Sequence, residues 1–178
     1  MPDKVALITG VGPGTGASLA RRFSQGGFNV AMFARNKSRL DSLEKELPDS
    51  KGYSCELRDP DQLNKTIDKA LNEFGYPDVF IHNAVRGTRG NFLEFSPEEL
   101  QSNFDTNVIS LLRIVQKISP NMLEEGKGSI IVTGNTSAHR GKANFGGTAS
   151  TKAAQKILTE SMARYLNPKG VHVAYITI

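Results

Sequence analysis

The 178-residue sequence predicts an α/β fold, a doubly wound parallel sheet of six strands with helices on both faces. Three observations carry that prediction. Short β-rich apolar runs alternate with segments of helical period along the whole chain. Two of the runs, Val5-Ala6-Leu7-Ile8 and Ile130-Ile131-Val132, are apolar without interruption, the pattern of strands covered on both sides. The strands are separated by helix-length segments, which implies right-handed β-α-β crossovers and a parallel sheet.

In chain order, strands are expected over 4–9, 28–33, 52–56, 78–82, 129–133 and 171–177. Between them Leu40, Leu43 and Leu47 share one helical face. Ser96-Pro97-Glu98-Glu99 is a capping box with proline at the first helical position, and Asp59-Pro60-Asp61-Gln62 follows the same logic one helix earlier. Long helices are expected over 96–123 and 145–166. Gly26-Gly27, Pro48 and Asn167-Pro168-Lys169-Gly170 read as stops. No repeat, low-complexity stretch or linker divides the chain, so residues 1–178 read as a single domain. Val171–Ile178 is a strand without a following turn or polar tail, so the domain is expected to be truncated after the sixth strand.

Composition narrows the function classes. Hydrophobic residues make up 38% and charged residues 22%, as in an ordinary globular chain. The apolar runs are too short for a transmembrane helix, and the few residues before Thr9-Gly10 are too few for a secretory signal, so a cytoplasmic protein without a membrane partner is expected. A single cysteine, Cys55, leaves no disulfide framework, and no metal-ligand spacing occurs. The net charge is +4, but the basic residues are scattered and tryptophan is absent, which does not favour nucleic acid. A phosphate-bearing small molecule needs only two or three of these charges.

The first strand runs into Thr9-Gly10-Val11-Gly12-Pro13-Gly14-Thr15-Gly16, followed by the helical Ala17-Ser18-Leu19-Ala20. Glycines there let the backbone approach a ligand, and the helix that follows offers free N–H groups and a positive dipole end. Strand, glycine turn and helix together form the context of a dinucleotide pyrophosphate site, with Gly10, Gly14, Thr15 and Gly16 as its binding residues. Gly16 is followed by alanine rather than Lys-Ser/Thr, which excludes a nucleoside triphosphate loop. After the second strand, Ala34-Arg35-Asn36-Lys37 carries no carboxylate and two cations, so Arg35 and Asn36 favour NADP over NAD.

With these motifs in place, the chain resembles the short-chain dehydrogenase/reductase family, which implies a Rossmann-like fold. Thr9-Gly10-x-x-x-Gly14-x-Gly16 matches the family's cofactor turn. Its Asn-Asn-Ala-Gly motif stands here as His82-Asn83-Ala84-Val85, and its Asp-Val pair beside the adenine as Glu56-Leu57. Asn107 matches the asparagine of the long helix between the fourth and fifth strands. The resemblance implies cofactor contacts from Glu56, Leu57, Asn83 and Ala84, and hydride transfer between a nicotinamide and a carbonyl or alcohol carbon. It also implies a homodimer or homotetramer through the two long helices.

The family's chemistry uses a Tyr-x-x-x-Lys pair on one helix face and a serine thirteen residues before the tyrosine. Lys152 stands where the family lysine belongs and is implied to hold the nicotinamide ribose. Four residues earlier is Thr148, and thirteen before that Asn135. No tyrosine lies between Tyr76 and Tyr165, so a slip in alignment involving Ser137 or Ser150 does not restore one. An aliphatic hydroxyl cannot exchange protons near neutral pH as a phenol beside a cation can. Two readings remain open: an NADP(H)-binding family member with impaired or absent turnover, and an active divergent NADP-dependent reductase using another proton donor such as His139. His82, His172 and Cys55 read as structural.

Overall fold

The structure is a computed structural model that describes residues 4–178. Its strands are β1 (Lys4–Thr9), β2 (Phe28–Ala34), β3 (Ser50–Ser54), β4 (Val79–His82), β5 (Ser129–Gly134) and β6 (His172–Thr177). They form one parallel sheet in the order β3-β2-β1-β4-β5-β6. The chain winds outward from β1 to β3, then returns to lay β4 on the other side of β1. At that reversal the loops leaving β1 and β4 separate to opposite faces of the sheet and open a crevice at its C-terminal edge.

Both faces are buried because consecutive strand residues serve different cores. Leu7, Phe33 and Phe80 belong to one apolar cluster, while their neighbours Ile8, Met32 and Ile81 belong to the other. Helices α3 (Pro60–Phe74) and α5 (Ser110–Glu125) bring Leu63, Ile67, Leu111, Ile114 and Ile118 to the first. Helices α1 (Thr15–Gln25) and α2 (Lys37–Glu46) bring Ala17, Ala20, Leu40 and Leu43 to the second. Each large side chain removed from water contributes about 1.5–3 kcal/mol, so the central strands form a fixed platform for the loops above them.

The helix starts legible in the sequence are formed by the side chains that announced them. The Asp59 carboxylate accepts from the N–H groups of Asp61 and Gln62 to start α3. Ser96 and Glu99 cap each other's backbone N–H at the start of α4 (Pro97–Phe104).

The third strand differs from its predicted position, running over Ser50–Ser54 rather than 52–56. The chain reverses at Asp49, which is left-handed (φ 54°) and whose carbonyl already accepts from the Val30 N–H, so pairing with β2 begins at Ser50. Ser50 and Lys51 are weak β formers, and the register imposed by β2 overrides their propensity. Glu56 and Leu57 consequently stand beyond the strand, at the mouth of the crevice. The helix expected over 96–123 runs continuously over Pro97–Glu125, with a π-turn at Asp105–Ile109 between α4 and α5. The last long helix, α6, spans Gly146–Leu166. His172 is exposed at the start of β6, and Cys55 is buried, which pushes its thiol up to about 11.

Candidate functional site

The chain leaves β1 through Gly10, whose φ of 72° few side chains tolerate. A Cβ there would stand 2.5 Å from the Ala84 backbone, and one on Gly16 would stand 2.4 Å from the Gly10 carbonyl oxygen. Close backbone contact therefore demands glycine at both positions. Gly14 is different: a Cβ there would meet nothing, since the residue faces open space. At the start of α1 the N–H of Ala17 reaches the Gly12 carbonyl and that of Ser18 the Gly14 carbonyl. The N–H groups of Gly14, Thr15 and Gly16 have no protein partner among the described residues. Unpaired N–H groups at the positive end of a helix suit an anion.

This turn forms one wall of a cleft of about 560 Å3. Gly10, Gly14, Thr15, Gly16, Arg35, Asn36, Glu56, Leu57, Asn83 and Ala84, all singled out in the sequence, border it. Asn83 also braces the turn. Its Nδ2 donates to the Gly10 carbonyl at 2.8 Å, and its Oδ1 accepts from the Thr133 hydroxyl at 3.1 Å. Asn36 caps α2, its Oδ1 accepting from the Arg39 N–H at 2.9 Å. That cap decides which cations face the cleft. Lys37 turns along the helix surface and pairs with Asp41, whereas Arg39 joins Arg35 on the cleft wall. Of the two cations expected from the sequence only Arg35 faces the cleft, and the second there is Arg39, whose one sequence signal is its place in the first turn after the Asn36 cap. Glu56, the only carboxylate on the wall among the described residues, is tied to Arg58, which holds it below the usual carboxylate range.

A further cation, Arg86, lines the cleft beyond Ala84, with its Nε buried and without a hydrogen-bond partner among the described residues. The π-turn explains its position. Asn107, fully buried at the centre of that turn, accepts from the Arg86 N–H at 2.9 Å and donates to the Arg86 carbonyl at 2.7 Å and to Thr151 Oγ1 at 2.9 Å. Its side chain thus fastens the β4–α4 loop and does not border the cleft.

Lys152 is 3% exposed and sits one layer behind the Asn83 wall. Its ammonium donates to the Thr133 carbonyl at 3.0 Å and to Gln155 Oε1 at 2.8 Å. Burial lowers its pKa to about 8. His82 is fully buried nearby, with Nδ1 3.1 Å from the Thr9 hydroxyl. Desolvation first, and the Lys152 charge second, lower its pKa to about 3, so the imidazole is neutral.

Thr148 is not brought to the cleft. Its hydroxyl donates to the Thr88 carbonyl at 3.1 Å, and a Cβ on Gly87 would stand 2.6 Å from Thr148 Oγ1. The β4–α4 loop therefore lies directly against residue 148. Asn135 is exposed and caps a short 3-10 turn, its Oδ1 accepting from the Ser137 N–H at 2.9 Å. It borders a separate small hollow with Ser137, Arg140 and Lys142. His139 is exposed, lies on the side of Glu160 and does not border the cleft.

The family model for short chain dehydrogenases matches residues 4–178. The chain belongs to the short-chain dehydrogenase family. A 3-oxoacyl-[acyl-carrier-protein] reductase of Staphylococcus aureus is 31% identical to this family member over 176 residues, covering 96% of this chain and 71% of that one. The structure of a short-chain dehydrogenase from Streptomyces avermitilis superposes with a TM-score of 0.92 at 29% identity, covering 98% of this chain and 64% of that one. A variant of actinorhodin polyketide ketoreductase, solved with NADPH, superposes with a TM-score of 0.91 at 26% identity, covering 97% of this chain and 69% of that one. This short-chain dehydrogenase chain thus spans about two thirds of the length of those relatives. Among the described residues, no helix is long and apolar enough to cross a membrane.

Proposed function

We propose that residues 1–178 make one dinucleotide-binding domain that holds NADP(H) but does not run the family's tyrosine-based carbonyl chemistry. The observation that carries this reading is the contrast between the two ends of the site. At the nucleotide end, free N–H groups of the glycine turn face the cleft, and Arg35 and Arg39 flank it without a carboxylate partner among the described residues. Two guanidinium groups beside a capped helix start suit a 2′-phosphate, and among the described residues the one acid on the wall, Glu56, is already paired with Arg58. At the chemical end, the hydroxyl at position 148 is committed to a backbone carbonyl and covered by the β4–α4 loop.

Within this reading Asn83 and Ala84 back the pyrophosphate turn, Glu56 and Leu57 flank the adenine, and Lys152 supplies positive charge behind the nicotinamide ribose. When bound, the dinucleotide would supply hydride chemistry, yet no side chain bordering the cleft is placed to exchange a proton with a substrate oxygen near neutral pH. His139, the alternative donor, does not border the cleft.

The test is a fluorescence titration with NADPH and NADH, followed by a turnover assay with a panel of ketones and aldehydes. Micromolar NADPH binding, at least about tenfold weaker NADH binding, and no carbonyl-dependent NADPH oxidation are expected. An Arg35→Ala/Arg39→Ala double variant should lose the preference. Equal affinities, or turnover with any carbonyl of the panel, would overturn the corresponding half of the reading.

A further inference from the structure

Gln155 is fully buried on α6, three residues after Lys152 and therefore on the same helix face. Its Nε2 donates to the Asn107 carbonyl at 2.6 Å and its Oε1 accepts from the Lys152 ammonium at 2.8 Å. The direction of the amide is not arbitrary. A backbone carbonyl can only accept, so the Nε2 end must face Asn107, and the Oε1 end is left for a donor. Gln155 thereby links the π-turn, which holds the cleft-lining Arg86 backbone, to the lysine behind the Asn83 wall.

The surroundings of Lys152 make that acceptor important. From β5 the Thr133 carbonyl faces it and from β4 the neutral His82, while the Asn107 carbonyl of the π-turn receives the other end of Gln155. No carboxylate pairs with Lys152 among the described residues, and the next lysine on α6, Lys156, is taken by Glu160. A buried ammonium with no counter-ion depends on its hydrogen-bond acceptors to stay charged, and here it has two.

We infer that Gln155 is a positioning residue that fixes Lys152 as a static, hydrogen-bonded cation behind the ligand cleft. Unlike a water molecule in the same place, a carboxamide neither gains nor loses a proton near neutral pH, so the interior side of Lys152 is closed to proton exchange. The lysine then acts through its charge and its remaining N–H, not as a relay. This inference rests on the dinucleotide reading only for its effect on ligand affinity; the placement of Lys152 stands without it.

The experiment follows the Lys152 ammonium by 13Cε–15Nζ NMR in lysine-labelled protein, assigned with Lys152→Arg, in the wild type, Gln155→Leu and Gln155→Glu. The wild-type titration should centre near pH 8. Losing one acceptor should move it down by about one unit or more, and supplying a carboxylate should move it up by a similar amount. NADPH affinity, measured from pH 6.5 to 9.5 in steps of about half a unit, should break at the same pH as the lysine in each variant. Should Gln155→Leu fail to fold, the near-isosteric Gln155→Glu decides, since a purely structural role gives no upward shift. Unmoved titrations in the folded variants overturn the inference. Opposed shifts in a protein that binds no NADPH uphold the role of Gln155 and overturn the dinucleotide reading instead.

Discussion

Mild acid should destabilise this protein through a single imidazole. His82 ends β4 with no exposed surface, one ring nitrogen near the Thr9 hydroxyl and the other without a close hydrogen-bond partner among the described residues, and the backbone of Thr106 and Asn107 only partly offsets its burial. Burial and the adjacent Lys152 charge hold its folded-state pKa near 3, against about 6.5 in an unfolded chain. Because the folded value is the lower one, the unfolded chain binds more protons between those limits, and stability falls as pH falls through the window. Between pH 7 and pH 5 the expected loss is about 2 kcal/mol, rising to about 3 kcal/mol at pH 4. Carboxylates held down by ion pairs, such as Glu46 with Arg21 and Glu73 with Lys51, lose their partners' help only at lower pH.

Urea unfolding followed by circular dichroism at pH 7, 6 and 5 and constant ionic strength measures this slope. The comparison is His82→Asn, which keeps a small polar side chain beside Thr9 but cannot titrate. His139 and His172 are exposed and present in both proteins, so they cancel in the comparison. The wild type should lose about 2 kcal/mol more than the variant across the window, whatever the variant's stability at pH 7. Parallel slopes would show that the buried imidazole is protonated without penalty and refute the reasoning.

Lys152 should act in the opposite pH range: its folded pKa, about 8, lies below the unfolded value, so stability should rise between about pH 8 and 10.5, by up to about 3 kcal/mol. Thermal unfolding across that range should show the rise in the wild type and its absence in Lys152→Met. Gly134→Ala would place a Cβ within 2.3 Å of the Tyr175 ring, so a loss of about 1–3 kcal/mol is expected in urea unfolding, recovered in part by pairing it with Tyr175→Leu. Thr148→Tyr should not create a reductase: the phenol must enter space held by Gly87 and Thr88, so a lower melting temperature and unchanged, absent carbonyl turnover are expected in a thermal melt and an NADPH oxidation assay.

Most of the glycine-turn end of the cleft was legible because local rules govern it. A left-handed turn, close backbone contact and a helix start all leave marks in adjacent residues, and Gly10, Gly14 and Gly16 carry them. Asn36 was legible as a site residue, yet its consequence for Arg39 needed the cap geometry that rotates Lys37 outward. The start of β3 was hidden because Ser50 and Lys51 take their conformation from pairing with β2 rather than from their own preference. Arg86 and Gln155 were missed for a stronger reason. Each is defined by a contact across more than twenty residues of sequence, Arg86 through Asn107 and Gln155 through the Asn107 carbonyl, and no local pattern marks either one.

The absence of a tyrosine at position 148 is matched by contacts that close the space around the threonine. Thr88 accepts from Thr148 through its carbonyl and from Asn103 Nδ2 through its hydroxyl, and the same Asn103 amide donates to the Gly147 carbonyl. One step further along, the Gly90 N–H donates to the Asn144 carbonyl, and Gly90 bridges to Phe145. The loop after β4 and the segment that starts α6 are thus joined by three direct contacts and by the Asn103 bridge from α4, and Gly87 fits only because it lacks a Cβ. None of these contacts involves the glycine turn, whose own brace is Asn83 on Gly10. The contacts that close the space at position 148 are therefore distinct from the brace that shapes the glycine turn, and the two regions are joined through the hydrogen-bond chain Asn83–Thr133–Lys152–Gln155–Asn107.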